Sequence, residues 1–89
     1  MTYQVRIRED AQKQLDKLAE PVRKRVVGSI IRLQEDPRPR GVKKIVDSVF
    51  WRIRIGSFRV IYAIDDTELT IVIVRVSKRN ESTYENLWN

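Results

Sequence analysis

The run Trp51-Arg52-Ile53-Arg54-Ile55-Gly56-Ser57-Phe58-Arg59-Val60-Ile61-Tyr62 constrains this chain more than any other stretch. Side chains alternate across a pleated strand, so Trp51, Ile53 and Ile55 point to one side while Arg52 and Arg54 point to the other. Gly56-Ser57 is a short hairpin turn, and it folds the chain back on itself as an antiparallel pair. The return strand carries Arg59 back towards Arg52 and Arg54. A chain with this hairpin builds a sheet with one apolar face to cover and one cationic face left over. Fixed, planar guanidinium groups on a rigid sheet suit the recognition of phosphates.

The rest of the chain supplies the cover. Tyr3, Val5 and Ile7 alternate with Gln4, Arg6 and Arg8, which predicts a short strand with one buried face. Glu9 and Asp10 then open a helix, where acids suit the positive end of its dipole, and Ala11, Leu15 and Leu18 form its apolar stripe. Pro21 fits the first turn of a second helix. Along it Val22, Val26, Ile30 and Leu33 recur at helical spacing, with Val27 and Ile31 widening the stripe. Asp36-Pro37-Arg38-Pro39-Arg40-Gly41 stops that helix and forms a loop.

Beyond the loop the hydrophobic period changes from 3.6 to 2. Val49 to Ile55 and Phe58 to Ile64 are the two hairpin strands. Asp65-Asp66-Thr67 turns the chain into Leu69 to Val76, a nearly continuous β-branched run whose apolarity on both faces predicts a central strand. The tail from Ser77 starts as a loop and closes as one helical turn, capped by Asn80 or Ser82. The expected fold class is α+β. The N-terminal strand and the three later strands form a mainly antiparallel four-stranded sheet with the helical hairpin packed on one face, in a single domain spanning residues 1–89.

Composition narrows the chemistry. A chain of 89 residues can bury roughly 60–65% of its unfolded surface, so its core needs no staples. With no cysteine there is no thiolate nucleophile, disulfide or cysteine-based zinc site. With no histidine, the usual neutral-pH acid/base and commonest transition-metal ligand are also absent. Catalysis would therefore rest on Arg, Lys, Tyr, Ser/Thr or carboxylates, and no cofactor or metal is expected. Charges at Arg6, Arg8, Glu9 and Asp10 rule out an apolar signal core at the start. No stretch approaches the ~20 apolar residues of a membrane span, so a cytoplasmic setting is expected.

The net charge of +6 is unevenly spread. Between Arg38 and Arg59, seven basic residues (Arg38, Arg40, Lys43, Lys44, Arg52, Arg54 and Arg59) face one acid, Asp47. That asymmetry points to nucleic acid or an acidic protein partner. Taken alone, arginines on an outer strand face are more often a solvated face or a guard against edge-to-edge aggregation. Trp51, Phe58 and Tyr62 fit core or rim better than base-stacking platforms. Arg38 and Arg40, with Lys43 and Lys44, read as an electrostatic skirt that would steer RNA and weaken with salt. Trp88 suits a partner contact or an anchor for the tail.

Three motifs together resemble the RelE/ParE toxin superfamily over nearly the whole chain. One is a helical hairpin ending in a Pro-containing loop before a basic stretch, here Leu33-Gln34-Glu35-Asp36-Pro37. Another is the hairpin itself, with paired basic residues followed by Gly56-Ser57-Phe58-Arg59-Val60-Ile61-Tyr62. The last is a final strand running into Lys78-Arg79 and then Tyr84. The Lys78-Arg79…Tyr84 ending is similar to the RelE branch, whose members cleave mRNA in the ribosomal A site. ParE-like members instead inhibit DNA gyrase. The resemblance implies a ribosome-dependent mRNA endonuclease held inactive by a RelB-like antitoxin that wraps it. Arg54, Arg59, Arg79 and Tyr84 would be catalytic, with Arg52, Lys43, Lys44 and Lys78 holding RNA phosphates. RelE-type sites often carry lysine where this chain has Arg52 and Arg54, and the step from Arg79 to Tyr84 is one residue shorter than in some relatives.

The proton is the open point of that chemistry. Attack by an RNA 2′-hydroxyl needs alignment, stabilised phosphoryl charge and a proton for the leaving 5′-oxygen. Arginines supply the charge stabilisation, but a guanidinium pKa above ~12 suits no general base. Lys44, Lys78, Tyr84, Glu81 and Glu85 stay as candidates. Two other readings remain: a gyrase inhibitor without chemistry, and an RNA-binding degenerate toxin.

Overall fold

The computed structural model describes residues 2–78. Its elements follow the order β1 (Gln4–Ile7), α1 (Glu9–Asp16), α2 (Val22–Arg32), β2 (Lys43–Lys44), β3 (Phe50–Ile55), β4 (Phe58–Asp65) and β5 (Thr70–Lys78). They build a five-stranded sheet of order β1-β5-β4-β3-β2. The expected α+β architecture is present, with the β-branched run of β5 in the interior of the sheet. A two-residue strand, β2, joins the four that alternation predicts. Two lysines in a row give no alternation to read, yet their backbone pairs with Trp51 and Arg52. The first strand lies parallel to β5, with Val5 opposite Ile71 and Ile7 opposite Ile73, while the other pairings are antiparallel.

The core lies on one face. Ala11 and Leu15 from α1, Val26 and Ile30 from α2 with its C-cap Leu33, and Ile53, Val60, Tyr62, Ile71, Ile73 and Val76 from the sheet form one buried cluster. Their spacing explains the helices: each apolar stripe covers the inward parity of the strands. The first helix is shorter than its stripe implies, ending at Asp16, and Leu18 packs on the core from beyond the helix end. Ile31 departs from its expected place and is 55% exposed. It lies one residue past Ile30, about 100° round the helix and away from the sheet.

The hairpin turn places Gly56 at φ +59°, a left-handed conformation that a residue with a Cβ adopts at a cost. The strand register then follows, with Ile55 opposite Phe58, Arg54 opposite Arg59 and Ile53 opposite Val60. One irregularity sits between β4 and β5. Ile61 faces Arg75 and Tyr62 faces Ile73, so Val74 is the extra residue of a β-bulge. Under strict alternation Arg75 would share its side with Ile71 and Ile73, inside the core. The bulge reverses the phase, keeping Val76 on the core side and turning Arg75 to the opposite face. The Gln14 side-chain oxygen accepts a hydrogen bond from the Val76 backbone N–H at 2.7 Å, tying α1 to β5 beside the bulge.

The loop after α2 is pinned to the sheet. The buried Tyr62 hydroxyl donates to the Pro37 carbonyl oxygen at 2.7 Å, and burial pushes the Tyr62 phenol well above its ordinary pKa. Both Arg38 terminal nitrogens reach Asp66, at 3.3 and 2.8 Å, and the Tyr3 hydroxyl donates to the same carboxylate at 2.6 Å. These bonds from Arg38 and Tyr3 hold the Asp66 carboxyl below the usual carboxylate range. Arg38 also stacks over Trp51, 5.1 Å from the ring centre. Arg38 is thus a structural tie between loop and sheet, where composition alone suggested an anonymous surface charge.

Candidate nucleic-acid interface

On the face away from the helices, register fixes a grid of cations. Arg54 and Arg59 are direct cross-strand partners, with Ser77 next to Arg59 on β5. The neighbouring row reads Lys43, Arg52, Ile61 and Arg75 across four strands. Direct partners are roughly 4.5–5.5 Å apart and diagonal ones about 7–8 Å. Arg59 therefore has Arg54 directly opposite and Arg52 and Arg75 as its two diagonal neighbours. Ile61 is fully buried in the middle of that group. Arg6 has the same parity on β1, opposite Val72.

Two like charges placed directly opposite are unfavourable by themselves. Among the described residues, carboxylates pair with cations elsewhere: Asp10 with Arg8, Glu9 with Lys13, Glu20 with Arg23 and Asp66 with Arg38. The described strand carboxylate with the same parity as the arginines is Asp65, at the far end of β4, about 20 Å from Arg59 at ~3.3 Å per residue. Its Oδ1 already accepts the Thr67 and Glu68 backbone N–H groups in the following turn. The arrangement concentrates forked donors around a small area of sheet, which suits the oxygens of one or more phosphates.

The sequence-predicted site residues divide accordingly. Arg52, Arg54, Arg59 and Lys43 come together on this face. Lys44 does not, because the residue after Lys43 turns to the other side, where its ammonium lies 5.6 Å from the Trp51 ring centre. Lys78, opposite Phe58, likewise has the parity of Val76 and the core side, at the rim of the sheet. Arg79 and Tyr84 lie outside the described residues, as do Asn80, Glu81, Ser82, Glu85, Trp88 and the expected helical turn. Arg75 belongs to the face although alternation does not find it. Its signal is a lone charge inside a β-branched run, which implies a phase break somewhere in β5.

Arg54 also borders a groove. A cavity of about 660 Å³ opens between the end of α2, the following loop and β3, with Leu33, Ile53 and Ile55 among its apolar lining and Arg32, Arg40 and Arg54 around it. β2 pairs only with Trp51 and Arg52, so this groove runs beside the end of β3 that β2 leaves uncovered. No group of three or more carboxylates among the described residues could hold a metal ion. No helix among the described residues is long and apolar enough to cross a membrane.

Comparison with known proteins gives this geometry a family. Residues 5–83 match the family model described as ParE toxin of the type II toxin–antitoxin system, parDE. A putative RelE-like toxin protein of Escherichia coli is 33% identical over 92 residues, covering 98% of this chain and 94% of its own length. The RelBE2 toxin–antitoxin complex of Mycobacterium tuberculosis contains a chain 32% identical with a TM-score of 0.77, the match covering 89% of this chain and all of that one. The archaeal RelE–RelB complex of Pyrococcus horikoshii gives 28% identity and a TM-score of 0.81, over 92% of this chain and 100% of that one. The chain belongs to the RelE/ParE superfamily, in its RelE-like branch, and is a toxin of the type II toxin–antitoxin class.

Proposed function

We propose that this chain is a ribosome-dependent mRNA endonuclease that inhibits translation in the cytoplasm until a cognate antitoxin covers it. The observation that carries the reading is the direct opposition of Arg54 and Arg59, flanked by Arg52, on one face of the sheet. Those forks would hold the non-bridging oxygens of the scissile phosphate as charge builds on them. The 2′-hydroxyl passes its proton to a neighbouring acceptor as its oxygen bonds to phosphorus, the bond from phosphorus to the 5′-oxygen breaks, and the leaving 5′-oxygen takes up a proton in return. A 2′,3′-cyclic phosphate and a 5′-hydroxyl result. Alignment of such an intramolecular attack can supply ~7–11 kcal/mol of the barrier. By resemblance, Arg79 adds a further phosphate contact, and Tyr84 orients the 2′-hydroxyl or stacks on a base. Lys43 extends the phosphate track beyond Arg52.

Proton transfer falls to groups beyond the arginines. Lys44 lies on the other side of the sheet, so positioning and electrostatics carry the chemistry on this face. Tyr84 and the ribosomal RNA around the substrate are the proposed proton carriers. The antitoxin proposal draws on the two solved relatives, both of them toxin–antitoxin complexes. A +6 domain with a cationic face favours an acidic segment that folds on binding.

A second reading has its own support: the matching family model is described by the ParE toxin, so gyrase inhibition without chemistry is the alternative. One experiment separates the two. The chain is induced without its antitoxin while 5′ ends of cellular mRNA are mapped and plasmid supercoiling is followed. Codon-phased cuts in translated messages are expected. Intact mRNA with altered supercoiling would establish the alternative.

A further inference from the structure

Arg75 is the cation of this sheet that neither alternation nor the family motifs bring out. Three observations give it a task. The bulge at Val74 turns it out of the core and onto the arginine face, diagonal to Arg59 and in one row with Lys43 and Arg52. Gln14 holds the Val76 backbone N–H right beside it, so the segment that aims Arg75 is fastened to α1. The side chain is half-buried, yet its Nε is buried without a hydrogen-bond partner, and no described carboxylate forms an ion pair with it. A buried donor without an acceptor is costly, and bulges commonly re-aim a side chain beside a functional site. Keeping a charge out of the core would need no such device, since an apolar residue in an unbroken strand would fill that position more simply.

Arg52 and Arg75 are two strand spacings apart, roughly 10 Å, with Ile61 between them. Arg54 and Arg59 form the compact pair in the adjoining row. We propose that Arg75 is a phosphate-binding residue of the same RNA site, gripping the phosphate next in the chain to the one held by Arg54 and Arg59. Single-stranded RNA then crosses the strands of the sheet, and the vacant Nε donor of Arg75 gains the acceptor it lacks. This rests on the reading of the face as an RNA site.

The test measures binding of a fluorescein-labelled single-stranded RNA across a salt series, for the wild type, Arg75→Gln, Arg75→Lys and Arg59→Gln, with melting temperatures recorded. Each lost phosphate contact makes the slope of log K against log salt shallower by about 0.7 for a single strand. Arg75→Gln is expected to lose that increment at an unchanged melting temperature, and Arg75→Lys to keep it. A wild-type slope in Arg75→Gln, with the increment lost in Arg59→Gln, overturns the role of Arg75 and leaves the site standing. Binding that is alike in the wild type and Arg59→Gln overturns the site and the role together. A second measurement needs no variant. A trinucleotide with two phosphates should bind the wild type about tenfold more tightly than a dinucleotide with one, and equal affinities would contradict the proposal.

Discussion

The two faces of the sheet are made from the same strands and could hardly differ more. One buries Ile53, Val60, Tyr62, Ile71 and Ile73 under two helices; the other gathers Arg52, Arg54, Arg59 and Arg75 around the buried Ile61. On the first, every neighbour favours folding. On the second, guanidinium groups stand directly opposite one another across β3 and β4. The difference teaches where to look for each property. Stability lies under the helices and in the Tyr62–Pro37 and Arg38–Asp66 ties, while phosphate recognition is the role proposed for the arginine face.

The division breaks if mutations on one face disturb the property assigned to the other. The largest stability effect is expected at Leu33, which is 1% exposed under the helices. Leu33→Ala should cost about 2–5 kcal/mol of unfolding free energy in urea, with cleavage per folded molecule retained. Tyr62→Phe should cost less, about 0.5–1.5 kcal/mol, by removing the bond to the Pro37 carbonyl. Calorimetric melting checks it, and an unchanged melting temperature would mean that the loop is held by other contacts.

The smallest effect is a pH dependence. Arg38 and Tyr3 depress the Asp66 carboxyl pKa in the folded state, so folding favours its ionised form. The stabilisation is complete above the unfolded carboxylate value of about 3.9. It disappears as pH falls through the lower folded value. Urea midpoints followed from about pH 6 to about pH 2 should therefore fall more steeply for the wild type than for Asp66→Asn. Parallel curves would remove Asp66 from the account.

Much of this was legible in the residues. Alternation over Trp51–Ile55 and Phe58–Ile64, with Gly56 at the turn, was enough to oppose Arg59 to the strand arginines, because a two-residue hairpin fixes register. Helical spacing identified Val26, Ile30 and Leu33 as the inward stripe. Alternation failed where register depends on partners distant in sequence. The parallel contact of β1 with β5 leaves no local mark, and Lys43–Lys44 pair through backbone alone. The bulge at Val74 inverts the phase of an otherwise regular run, hiding Arg75 among valines. Arg38, counted among loose charges, proved to be tied to Asp66, a partner 28 residues away.

The most direct test of the arginine face is single-turnover cleavage of mRNA on purified ribosomes by Arg59→Ala and Arg54→Ala, with melting temperatures recorded. Loss of one such donor from a phosphoryl-stabilising site should slow cleavage per folded molecule by about 10²–10³. Cleavage within a few-fold of wild type for both variants would contradict the assignment of this face to the scissile phosphate.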